Sequence, residues 1–297
     1  MITMFKDASD KIKSVAINTA LKFMKKKDKL SMMFFSTMAN NIESIIVLPA
    51  THSVGKKIHA RMKNAKRIGL TYQGILNGVK ISLIRTNVGT PGVANVMEAL
   101  KEIKPRAVIR LDYAGSLSAD MQVGEVFIAA NAIPGDGTSI HYINHNKTKY
   151  NQIKSKVLNT SEFECPDPVF SWIARNQLSG MVEPDIELLN LIIDATSKFQ
   201  FQNNKGTIWT TDGLFTETED KVKYWQSLGA KAVDMETALL YLLGKFYSVP
   251  VVAIHGISDN VITQKPFYEG ESYDPKIEKG IENCILILEK MLEKIKK

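Results

Sequence analysis

Cysteine is almost absent. The 297-residue chain carries two, Cys165 and Cys284, far apart and outside any C-x-x-C spacing, which excludes a disulfide framework and offers no thiolate metal site. A reducing compartment, the cytoplasm, is therefore expected. The five histidines are scattered without an H-E-x-x-H pattern, and Gly-x-Ser-x-Gly, Walker and Rossmann spacings are all missing. The metal-hydrolase and serine-nucleophile classes lose their support, and no metal is expected. The N-terminal segment lacks a long uninterrupted apolar run and carries Asp7, Asp10 and Asp28, which argues against a signal peptide or a membrane span. Charge of one sign is also not concentrated. The excess of 38 Lys and Arg over 31 Asp and Glu is spread along the chain among the acids, as on a solvated basic surface rather than a nucleic-acid footprint.

Hydrophobic types make up 44% of the chain, enough for a sizeable core, and no repeat or linker divides it. Two regions are expected: an amphipathic helical extension over 1–40 and a catalytic domain over 41–297. In the extension, Ile12, Val15, Ala16, Thr19, Ala20 and Phe23 follow helical spacing, ending at Lys25, Lys26, Lys27 and Lys29. Such a helix packs on its own domain or on a neighbouring subunit more often than on a membrane.

Beyond it, a β-branched run at 44–48 predicts a buried strand, and Asn77-Gly78 predicts a hairpin turn between two strands. Pro91 starts a helix, and strands follow at 106–111 and 123–131. The stretch from Pro134 to Glu183, rich in Asn, Asp, Ser, Gly and Pro, reads as long loops with short strands. Helices after Pro184, over 218–227, over 235–246 and at the C-terminus then alternate with strands at 206–211, 231–234 and 251–257. The fold class expected is α/β: a single three-layer domain whose mixed, largely parallel sheet is flanked by helices.

In such sheets ligands gather beyond the carboxyl ends of strands. Four places there carry polar residues. Glu236, next to Met235 at a strand–helix junction, lies about 100° around the helix from Met235; it can hold two sugar hydroxyls or simply favour a helix N-terminus. Asp259 directly follows an apolar strand; partly buried, it is able to protonate a departing base nitrogen, or it ends the strand in an Asx turn. Arg110 sits inside a strand and requires a carboxylate or a bound anion. The turn Gly89-Thr90-Pro91-Gly92 lets backbone amides approach a phosphate or sugar, without a specific motif. His255 reads as a core residue, and Trp172, Trp209 and Phe215 as core aromatics or stacking partners for a base.

In order along the chain, the stretches 86–92, 108–116 with 123–126, 210–212, 232–237 and 257–260 resemble the nucleoside phosphorylase and nucleosidase superfamily, which includes purine nucleoside phosphorylase, uridine phosphorylase and AMP nucleosidase. The resemblance implies a phosphorylase/hydrolase-like fold and cleavage of the N-glycosidic bond of a nucleoside. Phosphorolysis to free base and ribose 1-phosphate comes first, with inorganic phosphate as co-substrate and no cofactor. A hydrolytic nucleosidase, or a non-catalytic nucleoside-binding protein, is the alternative. It implies that Met235 and Glu236 hold the ribose, that Asp259 faces the base and assists its departure with Phe215 beside it, and that Arg110, Gly89 and Thr90 bind phosphate. The partners implied are a small-molecule nucleoside or nucleotide and further copies of the chain, as a dimer or hexamer, with no nucleic acid and no membrane.

Two departures from the family pattern stand out. The phosphate turn after the first strand reads Pro49-Ala50-Thr51-His52-Ser53-Val54-Gly55 and lacks the family's arginine, for which Lys56 or Lys57 is the nearest substitute. Asp112 and Tyr113 replace small residues after Arg110, and a phosphate-binding serine is lost with them. The stretch 266–270 in turn is similar to AMP nucleosidases, where water replaces phosphate.

Overall fold

In the computed structural model, which describes residues 19, 21–158, 165–263 and 274–295, the short apolar runs become strands of one sheet. β1 (Ile45–Leu48) is buried throughout, while β5 (Ala107–Ser116) and β9 (Val251–Asn260) are buried at all but one or two positions. Such Val- and Ile-rich runs suit strands covered on both faces. Around them lie β2 (Lys63–Ile68), β3 (Thr71–Leu76), β4 (Val79–Ile84), β6 (Val126–Pro134), β7 (Asn203–Thr210) and β8 (Ala230–Asp234). Asn77 and Gly78, both at positive φ, make the tight turn joining β3 to β4.

The strand order is β2-β3-β4-β1-β5-β8-β7-β6-β9, and β9 pairs with β5 as well, so that β5, β8, β7, β6 and β9 close into a ring from which β1, β4, β3 and β2 extend. β1 runs parallel to β4 and β5, β5 to β9, and β7 to β6 and β8; the other pairings are antiparallel. The sheet is mixed, as expected. Its closure is new, because apolar patterning marks which residues are strands and not which edges meet.

Helices cover both faces. Alternate residues of β1 enter two cores: Ile46 and Leu48 face α3 (Thr90–Ile103) and α9 (Thr237–Tyr247), while Ile45 and Val47 face α10 (Lys276–Ile295). From α10, the predicted C-terminal helix, Ile281, Cys284, Ile285, Leu288, Met291 and Leu292 are buried along one face.

The region 134–183 differs from expectation. Its described part contains three helices, α4 (Gly137–His145), α5 (Lys147–Ile153) and α6 (Pro168–Arg175), besides isolated bridges. Each of α4 and α6 has an aspartate N-cap, Asp136 on the Ser139 amide and Asp167 on those of Val169 and Phe170. Phe170 then packs edge-on to Trp209, at 5.0 Å between ring centres, and Trp209 stacks on Trp225 at 5.2 Å. Tertiary packing stabilises short helices whose polar composition reads as loop.

Most of the predicted N-terminal amphipathic helix, and the stretch 266–270, lie outside the described residues. The lysine cluster falls at the start of a separate helix, α1 (Lys26–Phe35), which packs against α3 and whose Lys26 pairs with Glu102 at 2.7 Å.

Candidate active site

β1 stops at Leu48, in register with Arg110 of β5, while β5 runs on for six more residues. Arg110 and Asp112 lie on one face of that strand, two apart, so the early end of β1 leaves them beside the turn that leads into α2 (His52–Arg61). The Asp112 carboxylate accepts from the backbone amides of Ala50 (2.5 Å) and Thr51 (3.0 Å), from the Thr51 hydroxyl (3.0 Å) and from the Tyr113 amide (2.9 Å).

Arg110 is 2% exposed. Its Nη2 donates to Glu236, its Nε stands 3.4 Å from Asp234, and its Nη1 has no hydrogen-bond partner in the protein. Burial works against its charge, yet Glu236, Asp234 and Asp112 outweigh that effect. Asp234 is held in addition by the Thr210 hydroxyl (2.7 Å) and the Thr237 amide (3.0 Å), with His255 Nε2 at 3.5 Å. Burial pushes Asp234 upward, but His255 and Arg110 overcome it and hold the carboxyl below the usual range. In Glu236 burial prevails over Arg110, so this carboxyl lies above the usual range. One guanidinium shared by two buried carboxylates leaves a proton more readily on one of them.

The other oxygen of Glu236 accepts from the Gly89 amide at 2.7 Å. Gly89 has φ 102°, a conformation that side chains rarely adopt, and this aims its N–H at the carboxylate. Thr90, the next residue, is fully buried and turns its hydroxyl to Thr138 (3.0 Å) and Asp212 (3.2 Å). From this turn, Val88 lines the cavity.

That cavity, of about 650 Å³, falls within the range of small-ligand pockets. Its wall brings Arg110, Asp112, Met235, Glu236 and Asp259 together from β5, the β8–α9 junction and the end of β9. Helix α9 begins at Thr237 rather than at the predicted 235, which leaves Met235 and Glu236 in the connection facing the cavity. Asp259, 8% exposed, lies in register with Gly115 and accepts from the Ser258 hydroxyl at 2.6 Å. Burial raises its carboxyl above the usual range. A Cβ on Gly115 would approach Val233 Cγ1 to 3.1 Å and the Asp259 carboxylate to 3.5 Å, so glycine leaves the pocket open there. Asn260 serves the fold, donating to the carbonyls of Ser118 and Met121 at 2.8 Å each. His255 is fully buried, as expected of a core residue.

Glu217 was not among the expected site residues. It lines the same cavity just after a short 3₁₀ turn (Leu214–Thr216), and burial, followed by the charge of Asp259, pushes its carboxyl up to about 8. In sequence it is indistinguishable from Glu219 and Asp220, which lie on the exposed start of α8 (Glu219–Ser227). Leu214 lines the cavity as well, whereas the neighbouring Phe215 is 75% exposed. Ser53, Tyr113 and, from the start of α10, Ile277 and Glu278 complete another side.

The pocket thus joins an anion-attracting part, made of amides at a helix N-terminus and a guanidinium, to a part holding two carboxyls whose burial favours the protonated form. Together they can stabilise an anion and protonate a leaving group. Among the described residues, no group of three or more His, Cys, Asp or Glu is placed to hold a metal ion, and no helix is long and apolar enough to cross a membrane.

A family model described as the phosphorylase superfamily matches residues 45–293. The chain is 26% identical over 201 residues to a DeoD-type purine nucleoside phosphorylase of Clostridium perfringens, covering 67% of this chain and 72% of that one. Its fold is similar to uridine phosphorylase from Vibrio fischeri ES114, with a TM-score of 0.66 at 19% identity, over 86% of this chain and 93% of that one. It is similar as well to the 5′-methylthioadenosine/S-adenosyl homocysteine nucleosidase of Campylobacter jejuni, with a TM-score of 0.63 at 16% identity, over 86% and 100% of the two chains.

Proposed function

The chain belongs to the phosphorylase superfamily, and from that premise we propose that it cleaves the N-glycosidic bond of a nucleoside, transferring the pentosyl group to inorganic phosphate and releasing the free base and ribose 1-phosphate. The observation that carries this reading is the convergence of Arg110, Met235, Glu236 and Asp259 on one cavity. No cofactor enters the reaction.

In this reading the base takes the electron pair of the breaking bond and a proton from Asp259, whose burial raises its carboxyl above the usual range and so favours the protonated form. The sugar turns oxocarbenium-like and is met by a phosphate oxygen, so an anion on the Arg110 side stabilises one end of the transition state while the acid stabilises the other. Met235 packs against the ribose and Glu236 accepts from its hydroxyls. Arg110 fixes the Glu236 carboxylate while its unpartnered Nη1 attracts the anion. Gly89 orients Glu236 through its amide. Thr90 braces the turn, and Leu214, rather than the exposed Phe215, borders the base side.

A second reading, hydrolysis with water as acceptor, draws support from Asp112, whose carboxylate already engages the amides of Ala50 and Thr51. The catalytic unit in either reading spans 41–297, with 1–40 as an extension, and works in the cytoplasm as a homo-oligomer. Release of free base from adenosine, inosine, guanosine, uridine and AMP, each with and without phosphate, tests the proposal. Base release with formation of ribose 1-phosphate is expected. Equal release without phosphate would replace phosphorolysis by hydrolysis, and nucleoside binding without any cleavage would sink both.

A further inference from the structure

The turn from β1 into α2 presents two backbone amides and a hydroxyl, those of Ala50 and Thr51, at the N-terminus of a ten-residue helix, where the aligned peptide dipoles favour a negative charge. Arg110 lines the same cavity, 2% exposed, with neither Nε nor Nη1 hydrogen-bonded; Nε stands 3.4 Å from Asp234 and Nη1 has no partner. A buried guanidinium nitrogen without an acceptor is costly, and it marks a place built for an anion. The amides of the turn, by contrast, already hold an anion of the protein's own. The Asp112 carboxylate, itself 2% exposed, takes both amides and the hydroxyl, and it is one of the three carboxylates that favour the charge on Arg110.

We propose that Asp112 sets the phosphate affinity of this pocket: it is a resident anion that occupies the Ala50–Thr51 cradle and competes with inorganic phosphate for it. The inference rests on the reading of this cavity as a pentosyl-transfer site, and it adds what limits phosphate binding there. A free phosphate can use the amides of Ala50 and Thr51 only by displacing a carboxylate that is covalently tethered and never dilute. If it binds alongside instead, it meets the like charge of Asp112, whose side chain is buried and poorly screened. Either way Asp112 weakens phosphate binding, so phosphorolysis in this pocket needs more phosphate than a cradle with free amides would. Strand β5 makes this possible by continuing past the end of β1, which puts the side chain at 112 directly opposite the open amides.

The test is equilibrium dialysis of the full chain against radiolabelled inorganic phosphate alone, at constant ionic strength set with chloride, for the wild type, Asp112→Asn and Asp112→Ala. Asparagine keeps the shape and one acceptor oxygen, so it holds the turn together if alanine unfolds it; circular dichroism reports which variants are folded. At an effective dielectric of about 20, a like charge within about 5 Å is worth a hundredfold or more in affinity, so an increase of at least tenfold in phosphate affinity is expected for a folded variant. Unchanged affinity, weaker binding, or no binding to any of the three overturns the proposal. Phosphate binding is read without a nucleoside, so failure of base release in a separate assay would count against the pentosyl-transfer reading and leave this result interpretable.

Discussion

Replacing Arg110 by methionine tests whether the buried charge cluster is wired as described. The side chain is 2% exposed, and the Asp234 and Glu236 side chains it joins are 1% and 3% exposed, so none of the three has water to fall back on. Methionine fills most of the volume but leaves two carboxyl groups facing each other without a cation. Removal of one partner from a buried ion pair costs about 3–5 kcal/mol. The cost must also depend on pH, and its sign follows from Glu236. Burial already holds that carboxyl above its unfolded value, against the opposing pull of Arg110. Without Arg110 it rises further, so at acid pH, where it is protonated in both proteins, the difference between variant and wild type is smallest. Above the wild-type value the variant alone must still hold the proton on folding, and the difference grows by up to about 1.4 kcal/mol per pH unit until the new value is passed. Urea unfolding of both proteins at pH 5.5 and pH 8.5 measures this, with equal m-values as the sign that the comparison is sound. The double variant Arg110→Met with Glu236→Gln is expected to recover most of the pH-dependent part, since glutamine has no charge to strand. A loss below about 1 kcal/mol, or one identical at both pH values, would refute the reasoning.

Asp259→Asn removes the proton donor while nearly preserving shape, so turnover on purine substrates should fall by about 10²–10⁴ with smaller change in KM; full activity would remove Asp259 from the acid role. Glu236→Ala leaves the Gly89 amide and the Arg110 Nη2 without their acceptor, and sugar binding and turnover are expected to drop together, measured as nucleoside affinity and base release. Glu217 has a folded-state value near 8, above that of the unfolded chain, so it destabilises the fold increasingly as pH rises from about 4.5 to about 8. Glu217→Gln should therefore be neutral at pH 4.5 and more stable than wild type at pH 8 by on the order of 1–2 kcal/mol, the partial exposure of the site reducing the full effect. Melting temperatures at the two pH values decide it, and a gain at pH 4.5 equal to that at pH 8 would contradict the assignment.

Much of this protein was legible as sequence because it depends on local pattern. The β-branched run at 44–48, the Asn77-Gly78 turn and the apolar spacing of the C-terminal helix each specify an element through their own geometry, and all three formed, the strand over 45–48 and the helix over 276–295. The ordered motifs around Arg110, Met235-Glu236 and Asp259 likewise marked residues that the cavity unites. The helices of 137–175 were hidden because their stability comes from contacts such as Phe170 on Trp209, made across the fold. Glu217 was hidden because a glutamate in a polar stretch looks solvated until the chain buries it beside Asp259. Asp112 could be seen in sequence as a charge out of place, but its use was not visible. The relative lengths of two paired strands decide where its carboxylate meets the amides of Ala50 and Thr51. Pattern thus determined the elements and the residue types at their ends. Only the tertiary structure decided which of those residues satisfy one another, because burial and electrostatics depend on distance through space and not along the chain.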